Sequence, residues 1–317
     1  MNNISSIPQS KVTVICTVYN HENFLLEALD SLRNQDYPNI ELIVIDNGSN
    51  DGSRAKINGW AKVNRDAQPI IIFRDKPINY CASFNEALYI STGAFVIDLS
   101  GDDILLPGHI EASLSALKRY PSAVASFSDA ELAERDGIKR FYEVNKHGPP
   151  TLSVGDVYVD VIAKYCISTV TLVFRADELK AIGGYDETLV YEDFDIICRL
   201  ARKFHFCYSP HIGVRKLITK TSLSSTQYKS HNSPMLESTL QICKRIKQMN
   251  RSEEENQALY KRTMYEAFHA LGSANFKVAR GFLELSSEIN SRSIKIRVYQ
   301  LWQKSRLNLS ALYQKLR

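Results

Sequence analysis

The first hundred residues switch repeatedly between two hydrophobic rhythms. "KVTVICTVY" (11–19) and "ELIVID" (41–46) are largely β-branched apolar runs, the pattern of buried strands, and "PIIIFRD" (69–75) and "AFVIDLS" (94–100) read as two further strands. Between them, "HENFLLEALDSLRNQ" (21–35) places Phe24, Leu25, Ala28, Leu29 and Leu32 along one helical face. Further helices are predicted over 53–64 and over "SFNEALYIST" (83–92), the latter ended by Gly93. A helix over "HIEASLSALKRY" (109–120) stops before Pro121, "AVASFSDAELA" (123–133) reads as another strand, and 136–155 as a loop or hairpin over the strand ends. Residues 167–204 read as strand, short helix, Gly-Gly turn and helix, and 232–317 as several helices with little β character.

Strand–helix alternation with short polar connections predicts an α/β fold: a doubly wound, mostly parallel sheet flanked by helices, with a helical C-terminal appendage. The expected division is a domain over 10–215 and a basic helical region over 216–317. In such sheets ligands gather beyond the carboxyl ends of the strands, and polar clusters at 17–22, 46–51 and 100–103 fall at those ends. The third closes the run "FVIDLSGDDILLP" with two adjacent carboxylates, Asp102 and Asp103, which repel unless solvated or joined by a cation.

Charge divides the chain. The net +4 hides 21 Lys and Arg against 7 acidic residues in 200–317, while 1–199 holds 18 against 28. Neither part carries a zinc-finger or RNA-binding signature, so no nucleic-acid partner is expected. Six cysteines without a CxxC pair predict neither a zinc site nor a disulfide framework. No apolar stretch reaches the roughly 18 residues of a membrane span. "MNNISSIPQS" lacks the basic start and apolar core of a secretory signal, so a cytoplasmic location is expected.

Several nucleotide and hydrolase chemistries are disfavoured. The first strand runs into "TVYNHE" with no GxGxxG, no Walker A sequence is present, and no GxSxG elbow marks a serine hydrolase. The ordered blocks "VTVICTVYNHE", "LDSLRNQDYPNIELIVIDNGSNDGS", "NYCASFNEAL", "GAFVIDLSGDD" and "IGGYDETLVYEDFDIICRLA" instead resemble glycosyltransferase family 2, with its GT-A fold, across residues 11–215. The resemblance implies inverting transfer of a sugar from a nucleoside-diphosphate sugar to a hydroxyl, with Mn²⁺ or Mg²⁺.

Carried over to matching positions, the resemblance implies that Thr17 and Tyr19 line the nucleotide pocket, Tyr19 against the base or ribose. Asp46 and Asn47 fall on the family's paired Asp-Asp; Asn47 replaces the second acid, and its carbonyl can still accept a base N–H. Asn79, opening the third block, joins the donor-binding set. In the family's DxD motif Ser100 replaces the first acid, leaving Asp102 as the donor-binding residue and metal ligand. Asp193 of "YEDFD" matches the general base. Asp51 reads as a helix cap or turn stiffener, and Asp103 as a residue holding its loop. Leu217 stands where relatives have a His that can meet the metal, so no second ligand is named.

The implied function is an inverting glycosyltransferase of bacterial surface-polysaccharide (O-antigen or capsule) assembly, taking a nucleotide-sugar donor and a glycan or lipid-linked glycan acceptor. The thinned motifs at Asn47 and Ser100 leave a second reading, a non-catalytic nucleotide-sugar-binding protein. From Arg292 onward seven basic residues and no acids alternate with Val298, Leu301, Trp302, Leu309, Leu312, Tyr313 and Leu316 at helix-compatible spacing. Such a face either packs on the catalytic domain or lies on an anionic membrane, which would hold the protein at the inner surface near a lipid-linked acceptor.

Overall fold

The computed structural model describes residues 10–145, 154–218 and 226–316, and the chain divides into two compact units, each discontinuous in sequence. The first comprises 1–156, 166–187 and 203–218. It holds strands β1 (Val12–Val18), β2 (Ile40–Asp46), β3 (Ile70–Phe73), β4 (Phe95–Ser100), β5 (Ile104–Leu105), β6 (Ala123–Glu134), β7 (Gly137–Arg140), β8 (Val154–Gly155), β9 (Val173–Arg175) and β10 (His205–Leu217). Its helices are α1 (Leu25–Arg33), α2 (Ser53–Val63), α3 (Tyr80–Ile90), α4 (His109–Arg119), α5 (Phe141–Asn145) and α7 (Ala176–Ala181).

The main sheet runs β3-β2-β1-β4-β9-β6-β10-β5. The four strands read from the apolar runs pair in parallel, β1 lying between β2 and β4, and β3, at the end of the strand order, is partly exposed along its length. Every residue of β1 is buried, and Val14, Cys16 and Val18 pack with Leu25 and Leu29 of α1 and with Ile57 and Trp60 of α2. The sheet is mixed because β9 enters antiparallel between β4 and β6. The strand expected at the start of 167–204 is short, only Val173–Arg175 extending in this way. The preceding Thr169–Thr171 segment is a tight 3₁₀ turn, in which the Thr171 hydroxyl donates to Ser168 O at 2.7 Å.

Two local readings change. Helix α3 starts three residues before the expected 83, because Asn79 Oδ1 accepts from Cys81 N (2.7 Å) and Ala82 N (3.4 Å). Gly93 does not end it; the helix closes at Ile90 with Ser91 extended. A Cβ on Gly93 would stand 2.5 Å from Thr13 N, so glycine is required there by the close approach of β1. Within 136–155, β6 and β7 form a hairpin braced by Arg140 Nε donating to Asp129 Oδ2 at 3.0 Å; residues 146–153 lie outside those described.

The second unit comprises 157–165, 188–202 and 219–317 and is helical: α6 (Tyr158–Ala163), α8 (Glu192–Ala201), α9 (Pro234–Met249), α10 (Glu253–Gly272), α11 (Phe276–Ile289), α12 (Ile294–Ser305) and α13 (Ser310–Leu316). Ser233 caps α9, and Ser252 with Glu255 makes a reciprocal capping box on α10. Ile242, Cys243, Ile246, Leu259, Phe282 and Leu283 are buried among these helices. Arg262 of α10 is buried too: its Nε donates to Ile162 O at 2.9 Å, and its guanidinium lies 4.7 Å from the Phe194 ring centre. No helix among the described residues is long and apolar enough to cross a membrane.

Candidate functional site

Parallel register brings the sequence-selected polar residues to one edge of the first unit. Thr17 pairs with Ser100, and Val18 with Asp46, so the ends of β1, β2 and β4 are level. The loops leaving those strands are laced together by side chains that replace missing ladder bonds. Asn20, with a left-handed φ of 57°, donates its N–H to Ser49 Oγ, and its own Oδ1 accepts from Asn50 N. His21 N donates to Ser53 Oγ (3.0 Å) and Glu22 N to Asp51 Oδ2 (3.1 Å). Asp51 also accepts from Ser53 N at 2.9 Å; it therefore stiffens the turn into α2.

On this rim, Tyr19 is 45% exposed, leaving a ring face for stacking, whereas Thr17 is buried and its Oγ1 has no hydrogen-bond partner. An orphaned hydroxyl at a strand end is uncommon and fits a contact with a bound polar group. Asp46 and Asn47 are differently placed. Asp46 is fully buried, Oδ1 accepting from Ser49 N at 3.0 Å and Oδ2 from Arg54 Nε at 3.1 Å. A donor contact from its carboxylate requires Arg54 or Ser49 to give way. The Asn47 amide closes a two-bond ring with the Ile78 peptide: Nδ2 donates to Ile78 O (2.9 Å) and Oδ1 accepts from Ile78 N (3.2 Å). A second lone pair on Oδ1 is what remains for a base N–H. Asn79 is exposed and caps α3.

The adjacent acids at the end of β4 diverge. Asp103 is buried, accepts from Leu217 N at 3.2 Å and so ties its loop to the end of β10. Burial pushes its carboxyl up to about 7; Lys216 opposes this and Asp102 adds to it. Asp102 keeps partial exposure, its Oδ1 taking the Ser100 hydroxyl and its Oδ2 lying 3.9 Å from His21 Nε2. Repulsion between the neighbours is thus eased by one acid holding its proton up to near-neutral pH while the other keeps partial access to water. A Cβ on Gly101 would come 2.9 Å from His21 Nδ1, so the glycine lets the imidazole approach.

His21 was not singled out by sequence, and neither was Asp98, whose oxygens accept from Tyr80 (2.6 Å) and Tyr185 (2.8 Å). Tyr185 belongs to the Gly-Gly-Tyr turn, fastened by Asn85: Oδ1 accepts from Tyr185 N and Nδ2 donates to Tyr185 O, both at 2.9 Å. A Cβ on Gly184 would fall 2.3 Å from Asn85 Oδ1, which explains that glycine.

The donor set bears on the expected cation. Among the described residues no three His, Cys, Asp or Glu side chains converge as a metal cage. Asp102 offers one partly exposed carboxylate, and the buried His21 Nδ1 has no partner. This fits a hard cation that takes most of its oxygen ligands from a diphosphate and water.

Asp193 lies in the second unit, in the first turn of α8, partly exposed. Its helix is anchored two residues later by Asp195, which is 2% exposed and takes Arg199 Nε at 2.6 Å and Arg245 Nη1 at 3.1 Å. Arg202 at the other end of α8 pairs with Glu255 at 2.7 Å.

Against known proteins, Streptococcus pneumoniae glycosyltransferase GlyA is 28% identical over 132 residues, 42% of this chain and 18% of that protein. The uncharacterized glycosyltransferase RT0329 of Rickettsia typhi is 27% identical over 218 residues, 68% of this chain and 66% of its own length. This chain therefore spans less than two thirds of either relative. Among solved structures, S. aureus TarS 1-349 in complex with UDP-GlcNAc superposes with a TM-score of 0.72 over 96% of this chain and 92% of that one, at 16% identity. The Pyrobaculum calidifontis mannosyltransferase PcManGT, in complex with GDP-Man and Mn²⁺, gives 0.61 at 17% identity, over 96% and 86%. These likenesses establish the GT-A fold. The glycosyl transferase family 2 profile matches residues 13–175, just over half of the sequence, and the chain belongs to that family.

Proposed function

We propose that this protein is an inverting glycosyltransferase that binds a nucleoside-diphosphate sugar beyond the ends of β1, β2 and β4. The observation carrying this reading is the rim itself, where the exposed Tyr19 ring, the unpartnered Thr17 hydroxyl and the outward Asp102 carboxylate share one strand edge. Tyr19 stacks on the base or ribose, and Thr17 and Asn79 contribute donor contacts. Asp102, held by Ser100, provides the protein's carboxylate to Mn²⁺ or Mg²⁺. Such a cation, when bound, supplies charge neutralisation as the nucleoside diphosphate departs. Asp193, carried over from the family pattern, takes the proton of the acceptor hydroxyl, the role for which a positioned carboxylate suits a one-step displacement. The acceptor is a glycan or lipid-linked glycan of a bacterial surface polysaccharide, as the family resemblance implies.

The test is a thermal-shift panel of UDP-, GDP- and dTDP-sugars with and without Mn²⁺, followed by donor hydrolysis. A ligand specific to the folded state raises apparent stability by RT ln(1 + [L]/Kd). A metal-enhanced shift with slow hydrolysis, and a product whose anomeric configuration is inverted in a proton spectrum, is expected. Shifts without hydrolysis would favour the non-catalytic binder that Ser100 and Asn47 first suggested; no shift with any donor would overturn both.

A further inference from the structure

Helix α12 is fixed from behind. Ile296 is 3% exposed, and Gln303 Nε2 donates to Phe276 O at 3.3 Å. At 100° per residue, the roughly opposite face carries Ile294, Val298 and Leu301. These are 75%, 54% and 68% exposed. Lys295 flanks that ridge on one side and Arg297 with Lys304 on the other, each roughly 60–100° around the helix and all exposed. A solvated surface helix carries its charges at the centre of the outer face; here the centre is apolar and the charges are lateral.

The pattern continues around the ridge. Leu307 and Leu312 are 57% and 56% exposed, Arg306 and Lys315 are exposed, and no acid occurs from 292 to 317. On the Lys295 side an open groove of about 490 Å³ is lined by Tyr265, Phe268, Tyr299 and Lys261 among others. Phe268 lies 6.0 Å from the Tyr299 ring and 6.3 Å from Trp302.

We propose that this face of α12, with the aromatic groove beside it, docks onto an anionic phospholipid surface. The ridge enters the acyl boundary while the flanking Lys and Arg reach the phosphates, the geometry of an interfacial amphipathic helix. The aromatic rings suit the headgroup level, having one apolar and one polar end. A second copy of the chain is a poorer occupant. A two-fold contact would set the Lys295, Arg297 and Lys304 rows against themselves, and Glu284, the acid lining the groove beside Lys304, is already paired with Arg280 at 2.7 Å. The inference concerns this surface alone and stands apart from the donor chemistry proposed above.

The experiment is co-sedimentation of the full chain with vesicles of phosphatidylcholine alone or of equimolar phosphatidylcholine and phosphatidylglycerol. Binding to the mixed vesicles at low salt, and loss of it with pure phosphatidylcholine or at high salt, is expected. Lys295→Gln/Arg297→Gln/Lys304→Gln should lower the partition coefficient about 100-fold, at roughly fivefold per basic residue. Ile294→Ser/Val298→Ser/Leu301→Ser should lower it at least about tenfold. All six side chains are exposed, so unfolding temperatures should not move; if the Ser set misfolds, the Gln set decides. Equal binding to both vesicle types, full retention by the Gln set, or self-association of the wild type that the Ser set abolishes would each overturn the proposal.

Discussion

His109 is sealed where α4 meets β10, and its refusal of a proton should make the first unit lose stability as pH falls toward 5. It is 0% exposed, its Nδ1 lies 3.0 Å from His211 Nε2, and its Nε2 has no partner. A Cβ on Gly213 would come 2.2 Å from that Nδ1, so β10 leaves no slack around the ring. Burial, with His211 adding to it, pushes the His109 imidazole down to about 3. In the unfolded chain it titrates near 6.5, so between these values the unfolded state binds a proton that the folded state refuses. The contribution to stability is complete above about pH 6.5 and is lost as pH falls, at about 1.4 kcal/mol per unit, reaching about 2 kcal/mol at pH 5. Burial lowers His211 in the same direction. The assay is urea unfolding of wild type and His109→Gln between pH 8 and pH 5, in a Trp302→Phe background. Fluorescence then reports Trp60, buried in the first unit with its Nε1 donating to Asp30 at 2.7 Å. The stability gap between the two proteins should shrink by about 2 kcal/mol over that range. A gap that stays constant would mean that the imidazole titrates normally and that the junction is open to water.

Four further outcomes follow from the site. Asp102→Ala should abolish the dependence of donor binding and turnover on a divalent cation, measured in Mn²⁺ titrations, while Ser100→Ala should matter much less; full activity in EDTA would contradict the assignment. Asp193→Asn should lower turnover about 10²–10⁴-fold with donor affinity kept; wild-type turnover would pass the role to Glu192. Asp195→Asn, two residues away, should instead cost stability. The expected loss in chemical unfolding is about 2–3 kcal/mol, less than the ~3–5 of a sealed pair because Arg199 and Arg245 retain solvent access. Asn47→Ala should weaken uridine diphosphate and pyrophosphate alike, since its amide is tied to Ile78; a larger loss for the nucleotide would place the remaining lone pair on the base.

The parallel half of the fold was legible because its signal is local. A strand buried on both faces must be apolar at nearly every position, and β1 and β2 are. What the sequence concealed depends on contacts between distant segments. Three residues of β9 carry no period that distinguishes parallel from antiparallel, and their direction is set by β4 and β6. Gly93 looked like a helix stop because it follows one, yet its reason lies 80 positions earlier, at Thr13. The membership of α8 is a similar case: nothing local in "YEDFDIICRLA" says that its buried acid will meet Arg245.

The site divides along the same line. Strand ends could be located from the apolar runs, so Thr17, Asp46 and Asp102 were found; of their partners, His21 beside Asp102 lies in another loop and Arg54 on Asp46 in the first turn of α2. The two departures from the family pattern gain a physical meaning only from these partners. Asn47 lacks the charge of an acid, but its amide both donates to and accepts from Ile78, a pairing an ionised carboxylate cannot make. Ser100 lacks one as well, and its hydroxyl donates to Asp102 where a second carboxylate would repel it. Each replacement removes a negative charge from the strand edge and returns a hydrogen bond that stiffens it. A diphosphate would therefore meet less repulsion here than beside four acids, and Asp102, restrained by Ser100 and facing His21, is left as the one outward carboxylate of its loop.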